Sequence, residues 1–111
     1  MIEELNDDYS NITLIEYFNS IENGKINGNK FTCTIKEYEQ TVEKNKILFK
    51  DIKELIVNFQ INTEEDIFLT IDFVSKLYEF IENETEFLHF TTLNEKIEKD
   101  NVCCSIISSG Y

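Results

Sequence analysis

The stretch from Leu48 to Phe59, Leu-Phe-Lys-Asp-Ile-Lys-Glu-Leu-Ile-Val-Asn-Phe, decides the fold that the sequence predicts. Its large apolar residues recur mostly three or four positions apart, at Leu48, Phe49, Ile52, Leu55, Ile56 and Phe59. Side chains at this spacing share one face of an α-helix, because a helix completes a turn every ~3.6 residues. The pattern therefore predicts an amphipathic helix with one buried face.

The segment after this stretch carries a second helical pattern. Thr63 is a suitable N-cap, with Asp66 three residues later. Glu64 and Glu65 fall in the first turn, where negative charge suits the helix dipole. The pattern predicts a helix over residues 63–82 whose buried side is made of Ile67, Ile71, Val74, Leu77, Tyr78 and Ile81.

Two more helices are predicted on the N-terminal side. Asn11 is the N-cap of the first, which ends at Asn23-Gly24 and has an apolar stripe at Leu14, Ile15, Phe18 and Ile21. Asn27 is the N-cap of the second, in which Ile26 and Phe31 form a hydrophobic staple and the stripe continues through Ile35, Tyr38 and Val42. Residues 31–35 also alternate as a strand does, and this alternative stays open.

The C-terminal third is the least regular part of the pattern. Phe87, Phe90, Leu93 and Ile97 have a helical period, although residues 86–92 also fit a strand. Residues 1–10 are predicted to be a frayed arm, and residues 101–111 a tail that either docks or stays flexible. No repeat or linker divides the chain, so we expect one domain over residues 1–111: an all-α, compact antiparallel bundle of four to five helices.

The charge of the chain is strongly negative. It has 22 Asp and Glu against 10 basic residues, all of them Lys, and a net charge of −12. Such a surface repels nucleic acid and anionic membranes, so we expect neither as a direct partner. Its natural partner is a basic protein surface. The plain alternative is a solvated acidic surface that serves solubility alone.

The cysteines and the N-terminus indicate the compartment. Cys33, Cys103 and Cys104 are odd in number and have no metal-ligand spacing, which is typical of free thiols in a reducing compartment. Residues 1–5 contain neither a basic nor an apolar signal region, and no apolar run reaches the ~20 residues of a membrane span. We therefore expect a cytoplasmic protein.

The search for catalytic chemistry finds little. His89 is the single histidine and lies between Leu88 and Phe90, where a structural role is more common than a catalytic one. Glycine occurs only at positions 24, 28 and 110, so no phosphate-binding loop is present. The sequence predicts no enzyme, no catalytic residue, no metal site and no cofactor.

The acidic residues of the predicted 63–82 helix form the better candidate site. On a helical wheel, Glu64, Asp72, Glu79 and Glu82 gather opposite the apolar side, and Phe68 falls in the middle of that acidic arc. An exposed aromatic ring surrounded by carboxylates fits a binding hot spot for a basic partner. The alternative is that Phe68 packs under a neighbouring helix and the carboxylates face water.

The order of these features resembles immunity proteins of the colicin D type. The likeness rests on Leu14-Ile15-Glu16-Tyr17-Phe18, Gly24-Lys25-Ile26, Phe31 at a helix start, and the Phe49–Phe59 segment followed by Glu64-Glu65-Asp66. It covers roughly the first two-thirds of the chain. The resemblance implies a helical bundle that neutralises a nuclease toxin, often a tRNase, by placing an acidic face in its basic RNA-binding cleft. By position, Glu64, Glu65 and Asp66 match the acidic stretch that faces the toxin.

The leading hypothesis is thus an immunity protein for a secreted nuclease toxin, a bacteriocin or a contact-dependent inhibition toxin. The predicted partner-binding residues are Glu64, Glu65, Asp66, Phe68, Asp72, Glu79 and Glu82. The alternative is a phage-encoded acidic mimic of nucleic acid that inhibits a host defence nuclease, which relies on the same physics against another partner.

Overall fold

The computed structural model describes residues 26–110, which form one sheet and two short α-helices. In chain order the elements are β1 (Ile26–Thr34), α1 (Tyr38–Lys44), a 3-10 helix (Lys46–Phe49), β2 (Ile52–Ile61), α2 (Leu69–Leu77), β3 (Glu86–Leu93) and β4 (Asn101–Gly110).

The four strands form one mixed sheet in the order β1-β4-β2-β3. β4 is antiparallel to both β1 and β2, and β3 is parallel to β2. The last strand of the chain is therefore inserted between the first and the second. Because β1, β2 and β3 point the same way, α1 and α2 serve as the crossover connections between them.

Both helices pack on the same face of the sheet, which we call the helix face. Tyr38 of α1, Phe59 of β2 and Phe73 of α2 form an aromatic cluster, with ring centroids 4.5–6.2 Å apart. The Tyr38 hydroxyl donates a hydrogen bond to the Phe73 carbonyl oxygen at 2.8 Å and so joins the two helices. Around the cluster the core contains Val42, Phe49, Ile52, Leu55, Val57, Ile61, Val74, Leu77, Val102, Cys104 and Ile106.

The predicted all-α bundle is wrong, and β2 shows why. Residues 55, 57, 59 and 61 point to the helix face, and the alternate residues 54, 56, 58 and 60 are buried on the opposite side. β2 is buried on both faces, but the opposite face is mostly polar, with Glu54, Asn58 and Gln60 beside Ile56. Because Ile56 is apolar on the face opposite Leu55 and Phe59, the apolar residues also have the three- and four-residue spacings of a helix. The spacing at Ile52, Leu55, Ile56 and Phe59 was compatible with both structures.

The predicted tail is wrong as well, because residues 101–110 form β4, a central strand. Every residue from Val102 to Ser109 is buried. Val and Ile are favoured in a strand that lies between two neighbouring strands. The small serines of β4 are buried with them. The segment lacks strong periodicity because both of its faces are buried.

Two segments adopt the strand that the sequence had left as an alternative. Residues 31–34 belong to β1, so the helix capped by Asn27, with Ile26 and Phe31 as its staple, does not form. Residues 86–93 form β3 instead of the predicted last helix. In β1 the period-two alternation was the correct signal. In both segments, pairing with β4 or β2 satisfies the backbone groups.

The 63–82 helix exists in a shortened form. α2 begins at Leu69 after Phe68, which makes no side-chain cap, and ends at Leu77, so Thr63 caps nothing. It buries Phe73, Val74 and Leu77, and Ile81 is half-buried. Ile67, Ile71 and Tyr78 were expected in the core but are exposed. The predicted arm 1–10 and the predicted helix 11–23 lie outside the described residues.

The two described helices have seven and nine residues. Within residues 26–110 no helix has the length and apolar character needed to cross a bilayer.

Candidate functional site

The predicted site residues are divided among three places, the first of which is the loop between β2 and α2. Lys99 Nζ lies 3.1 Å from Glu64 Oε2, and the Asp100 backbone N–H donates to Glu65 Oε2 at 2.5 Å. Asp66 Oδ1 accepts from the backbone N–H of Phe68 at 2.9 Å. Glu64 and Glu65 connect the β2–α2 loop to the β3–β4 loop, and Asp66 stabilises the turn that leads into α2.

The second place is the cleft between α1 and α2, where Asp72 and Glu79 lie. Glu39 of α1 lines the same cleft, which has a volume of about 290 Å³. Lys76 Nζ lies 3.3 Å from Glu79 Oε1 and 5.5 Å from the centre of the Phe80 ring. The cleft therefore has three carboxylates and one lysine, and that lysine side chain is almost buried.

The third place is the far end of α2, at Glu82. Its Oε1 accepts a hydrogen bond from the backbone N–H of Asp51 at 2.8 Å, just before β2 begins. Asp51 has a φ of 56°, a left-handed conformation that Asp tolerates better than most residues. Glu82 thus supports the entry to β2. The seven predicted residues do not form one continuous acidic face.

Sequence reasoning missed an apolar surface on the side of α2 that faces β3. Ile67 is 49% exposed, Ile71 is 62% exposed and Tyr78 is 60% exposed. At 100° per residue Ile71 and Tyr78 fall within about 20° of each other, and Ile67 lies in the turn just before α2. On β3, Phe87 and the 44% exposed Leu93 point to the same face of the sheet. We call these five residues, Ile67, Ile71, Tyr78, Phe87 and Leu93, the α2–β3 strip.

Two contacts join the α2 segment to β3 next to these residues. The Tyr78 and Phe87 rings meet edge to face, with centroids 5.5 Å apart. The hydroxyls of Thr70 and Thr91 form a short hydrogen bond that ties the start of the helix to the middle of the strand. His89 lies beside Phe87, with ring centroids 5.4 Å apart, and is exposed.

The charges along this part of the chain are almost all negative. Between Asp66 and Leu93 there is one lysine, Lys76, which is paired with Glu79. Against it stand six carboxylates: Asp66, Asp72, Glu79, Glu82, Glu84 and Glu86. An apolar strip on an acidic element suits a partner that presents apolar side chains among basic ones. Phe68, 70% exposed at the start of α2, extends the apolar surface.

The described thiols and ligand-type side chains offer little for catalysis. Burial raises the pKa of Cys33, and burial raises the pKa of Cys104 well above its usual value, which disfavours the reactive thiolate. Within residues 26–110, no group of three or more His, Cys, Asp or Glu side chains is arranged to hold a metal ion.

Comparison with known proteins identifies the fold. No protein-family model matches the sequence, and no curated protein matches it. The FtsZ dimer structure from M. jannaschii is similar over 93% of this chain and 31% of its own, with a TM-score of 0.64 and 11% identity. A mutant FtsZ from M. jannaschii is similar over 99% of this chain and 42% of its own, with a TM-score of 0.55 and 10% identity.

The chain thus spans less than half the length of each of these FtsZ chains. At this level of identity the likeness concerns the fold. Thiamine monophosphate kinase from Aquifex aeolicus is less similar, with a TM-score of 0.47 and 10% identity, over 96% of this chain and 44% of its own. The helical bundle implied by the resemblance to colicin D immunity proteins is not the fold of this chain.

Proposed function

We propose that this domain binds a basic protein through the α2–β3 strip and acts as its inhibitor, as an immunity protein does for a nuclease toxin. The observation that supports the proposal is the strip itself, in which apolar side chains are exposed on residues 66–93, a stretch with one lysine and six carboxylates. A fold on its own would not favour this function, since one fold serves many functions.

The two components of this surface have different effects on binding. Burying the exposed half of a large apolar side chain contributes about 1 kcal/mol, so the strip can supply most of the affinity. The carboxylates act at longer range and attract a positively charged partner, which raises the association rate at low salt. A nuclease that holds RNA phosphates has such a positive surface, and carboxylates pair with its Lys and Arg side chains.

The arrangement also distinguishes between the two hypotheses drawn from the sequence. A mimic of nucleic acid needs its charges in a row that follows a phosphate backbone. Here Glu64 to Asp66, the pair Asp72 and Glu79, and Glu82 lie in separate places. The proposal therefore rests on the apolar strip with acidic surroundings, and not on a regular line of carboxylates.

The test of the proposal is protection of cells from the toxin domain encoded beside this chain. Cells that express the toxin domain should grow when the wild-type protein is present. Ile71→Asp should weaken binding to the purified toxin domain by about tenfold or more, because a charge replaces an apolar contact in the strip. The matched control is Ile47→Asp, which places the same charge on an isoleucine that is 71% exposed in the 3-10 helix.

The two variants separate the possible outcomes. Weakened binding for Ile71→Asp and unchanged binding for Ile47→Asp would support the strip. Equal effects of the two would show that added negative charge, and not the strip, controls affinity. Lack of protection by the wild-type protein would refute the immunity function.

A second candidate function is assembly with another copy of this chain. The M. jannaschii FtsZ structure is a dimer, and in this chain no described strand pairs with the outer edge of β3. Edge strands of eight regular residues readily accept another strand. The charge of −12 opposes self-association at low salt. Sedimentation that shows dimers at high salt and none in Leu93→Asp would favour assembly over the inhibitor function.

A further inference from the structure

The cleft between α1 and α2 adjoins a second cavity at the edge of the sheet. The second cavity has a volume of about 580 Å³ and lies between the turn after β1, the β2–α2 loop and the start of β4. Ile35 and Leu69, both half-buried, line the cleft and the cavity alike. We call the two together the acidic groove. Its carboxylates are Glu39, Asp72 and Glu79 in the cleft, and Glu65 and Asp100 in the second cavity.

Hydrogen bonds hold the walls of the groove in place. Because β1 and β2 are both antiparallel to β4, the segments after β1 and β2 leave the sheet at the edge where β4 begins. There the Ile35 N–H donates to the Asp100 carbonyl oxygen at 2.7 Å, and the Asp100 N–H donates to Glu65 Oε2 at 2.5 Å. In the cleft, the bond from the Tyr38 hydroxyl to the Phe73 carbonyl oxygen joins the two helices. The groove is therefore formed before any partner arrives, as binding sites usually are.

The lining of the groove is negatively charged around an apolar centre. Its five carboxylates stand against two lysines, Lys36 and Lys76, so three negative charges are not compensated by the lining. Glu39, Asp72 and Asp100 are exposed to solvent. Such a lining repels an anion and attracts guanidinium or ammonium groups, which form charge-assisted hydrogen bonds with carboxylates.

We propose that the acidic groove binds an extended segment of a partner protein in which one apolar side chain lies between two Lys or Arg side chains. Ile35 and Leu69 lie where the two cavities adjoin, and carboxylates line the groove on both sides of them. In an extended segment, alternate side chains point the same way and are ~7 Å apart. The order basic-x-apolar-x-basic thus places the apolar side chain on Ile35 and Leu69 and one basic side chain in each cavity.

The length and the charge of the groove both favour this occupant. Along α2, Leu69 and Glu79 are separated by ~15 Å at the rise of a helix. An extended segment of five residues is ~16 Å long. A second copy of this chain is a poor occupant, because a net charge of −12 repels it. The groove lies on the side of α2 that faces α1, so this site goes beyond the proposed function and does not need the α2–β3 strip.

The test uses a synthetic peptide, acetyl-Arg-Ser-Leu-Ser-Arg-amide, titrated into the methyl-labelled full-length protein at low salt. We expect the methyl signals of Ile35 and Leu69 to shift as the peptide binds. Replacing the leucine of the peptide by serine should raise the dissociation constant about fivefold, because the apolar contact is lost. Absence of shifts at these methyl groups, or equal affinity of the two peptides, would overturn the proposal.

Two double variants separate local contacts from long-range attraction. Glu39→Gln with Asp72→Asn removes two charges from the groove and should weaken peptide binding about fivefold. The matched control, Glu84→Gln with Glu86→Gln, removes the same charge from two exposed residues outside the groove and should change affinity less than twofold. All four residues are exposed, so both variants should keep the wild-type circular dichroism.

Equal weakening in the two double variants would overturn the proposal, because net charge and not the groove would then control binding. Shifts of the Ile35 and Leu69 methyl signals with protein concentration, in the absence of peptide, would also overturn it, because a second copy would then occupy the groove. Since the peptide replaces the toxin domain in these titrations, their result is separate from that of the protection assay.

Discussion

β3 and β4 lie on the two sides of β2, and they differ in nearly every physical respect. β4 is antiparallel to two neighbours and is buried from Val102 to Ser109. β3 has one parallel neighbour, and its Leu88, Phe90 and Leu93 are about half exposed. Both strands contain apolar residues, which are Phe and Leu in β3 and Val, Ile and Cys in β4, so the presence of apolar residues does not distinguish them.

The difference shows that similar residues contribute to stability in one strand and to recognition in the other. A side chain of β4 is removed from water when the chain folds, so its transfer free energy stabilises the native state. A side chain of β3 remains in water until a partner covers it, so the same free energy is available for binding. The following substitutions test this contrast, from the largest expected effect to the smallest.

The largest difference is expected between Ile106→Asp in β4 and Phe90→Asp in β3. Ile106 is in the core, so an unpaired carboxylate there should cost more than ~4 kcal/mol and leave the chain unfolded. Phe90→Asp should cost about 1 kcal/mol or less, since the ring is half exposed. Urea denaturation followed by circular dichroism measures both. Comparable losses would mean that β3 is not an open edge.

The aromatic residues give a smaller contrast of the same kind. Phe59 of β2 is completely buried between Tyr38 and Phe73, and Phe59→Ala should lower the free energy of unfolding by ~3–5 kcal/mol. Phe87→Ala on β3 should cost less than half as much, because its ring is half-buried beside Tyr78. Denaturant midpoints would check the ratio, and equal losses would contradict the contrast.

Alkaline pH should weaken the centre of the sheet. Burial raises the pKa of Cys104 above its value in the unfolded chain, which is about 9. The neutral thiol therefore stabilises the fold fully below pH 9, and this contribution is lost as the pH rises towards the higher folded-state pKa. Stability should fall between pH 8.5 and about 10 in the wild type and fall less in Cys104→Val. Parallel pH profiles would exclude Cys104 as the cause.

The hydrogen bond between Thr70 and Thr91 should have the smallest effect. It joins α2 to the edge strand in a half-buried place, so its loss in Thr91→Val should cost about 1 kcal/mol or less. A double-mutant cycle with Thr70→Val isolates the interaction. A coupling energy near zero would show that the strip is held together by the contact of Tyr78 with Phe87 instead.

Part of the fold was present in the sequence as an alternative. Residues 31–35 alternate with period two and residues 86–92 also fit a strand, and both segments lie in strands over most of their length. β4 could not be recognised in this way, because burial on both faces removes the alternation. In β2 residues 57–61 do alternate, but the apolar Ile56 gives the segment a helical spacing as well. Tertiary pairing then decided in favour of strands at Leu55–Ile61 and Val102–Ser109.

The negative charge of the candidate site was predictable from the sequence, but the positions of its carboxylates were not. The acidic character of residues 64–82 is plain from the sequence, and Phe68 is exposed as the proposed hot spot requires. A regular 63–82 helix, however, placed Glu64, Asp72, Glu79 and Glu82 on one side. In the structure α2 has nine residues, and Glu65 and Glu82 bond to backbone groups of distant segments. Those contacts depend on chain topology, which a helical wheel does not contain.

The sequence by itself determined the net charge of −12, the supply of apolar side chains, and the absence of a recognised catalytic motif. These are sums or local patterns, and they need no knowledge of neighbours. Only the tertiary structure decided that Val74 is buried while Ile71 is exposed, three residues away on the same helix. The physical reason is that α2 contacts a single face of the sheet, and the edge at β3 leaves the side of the helix beyond it uncovered.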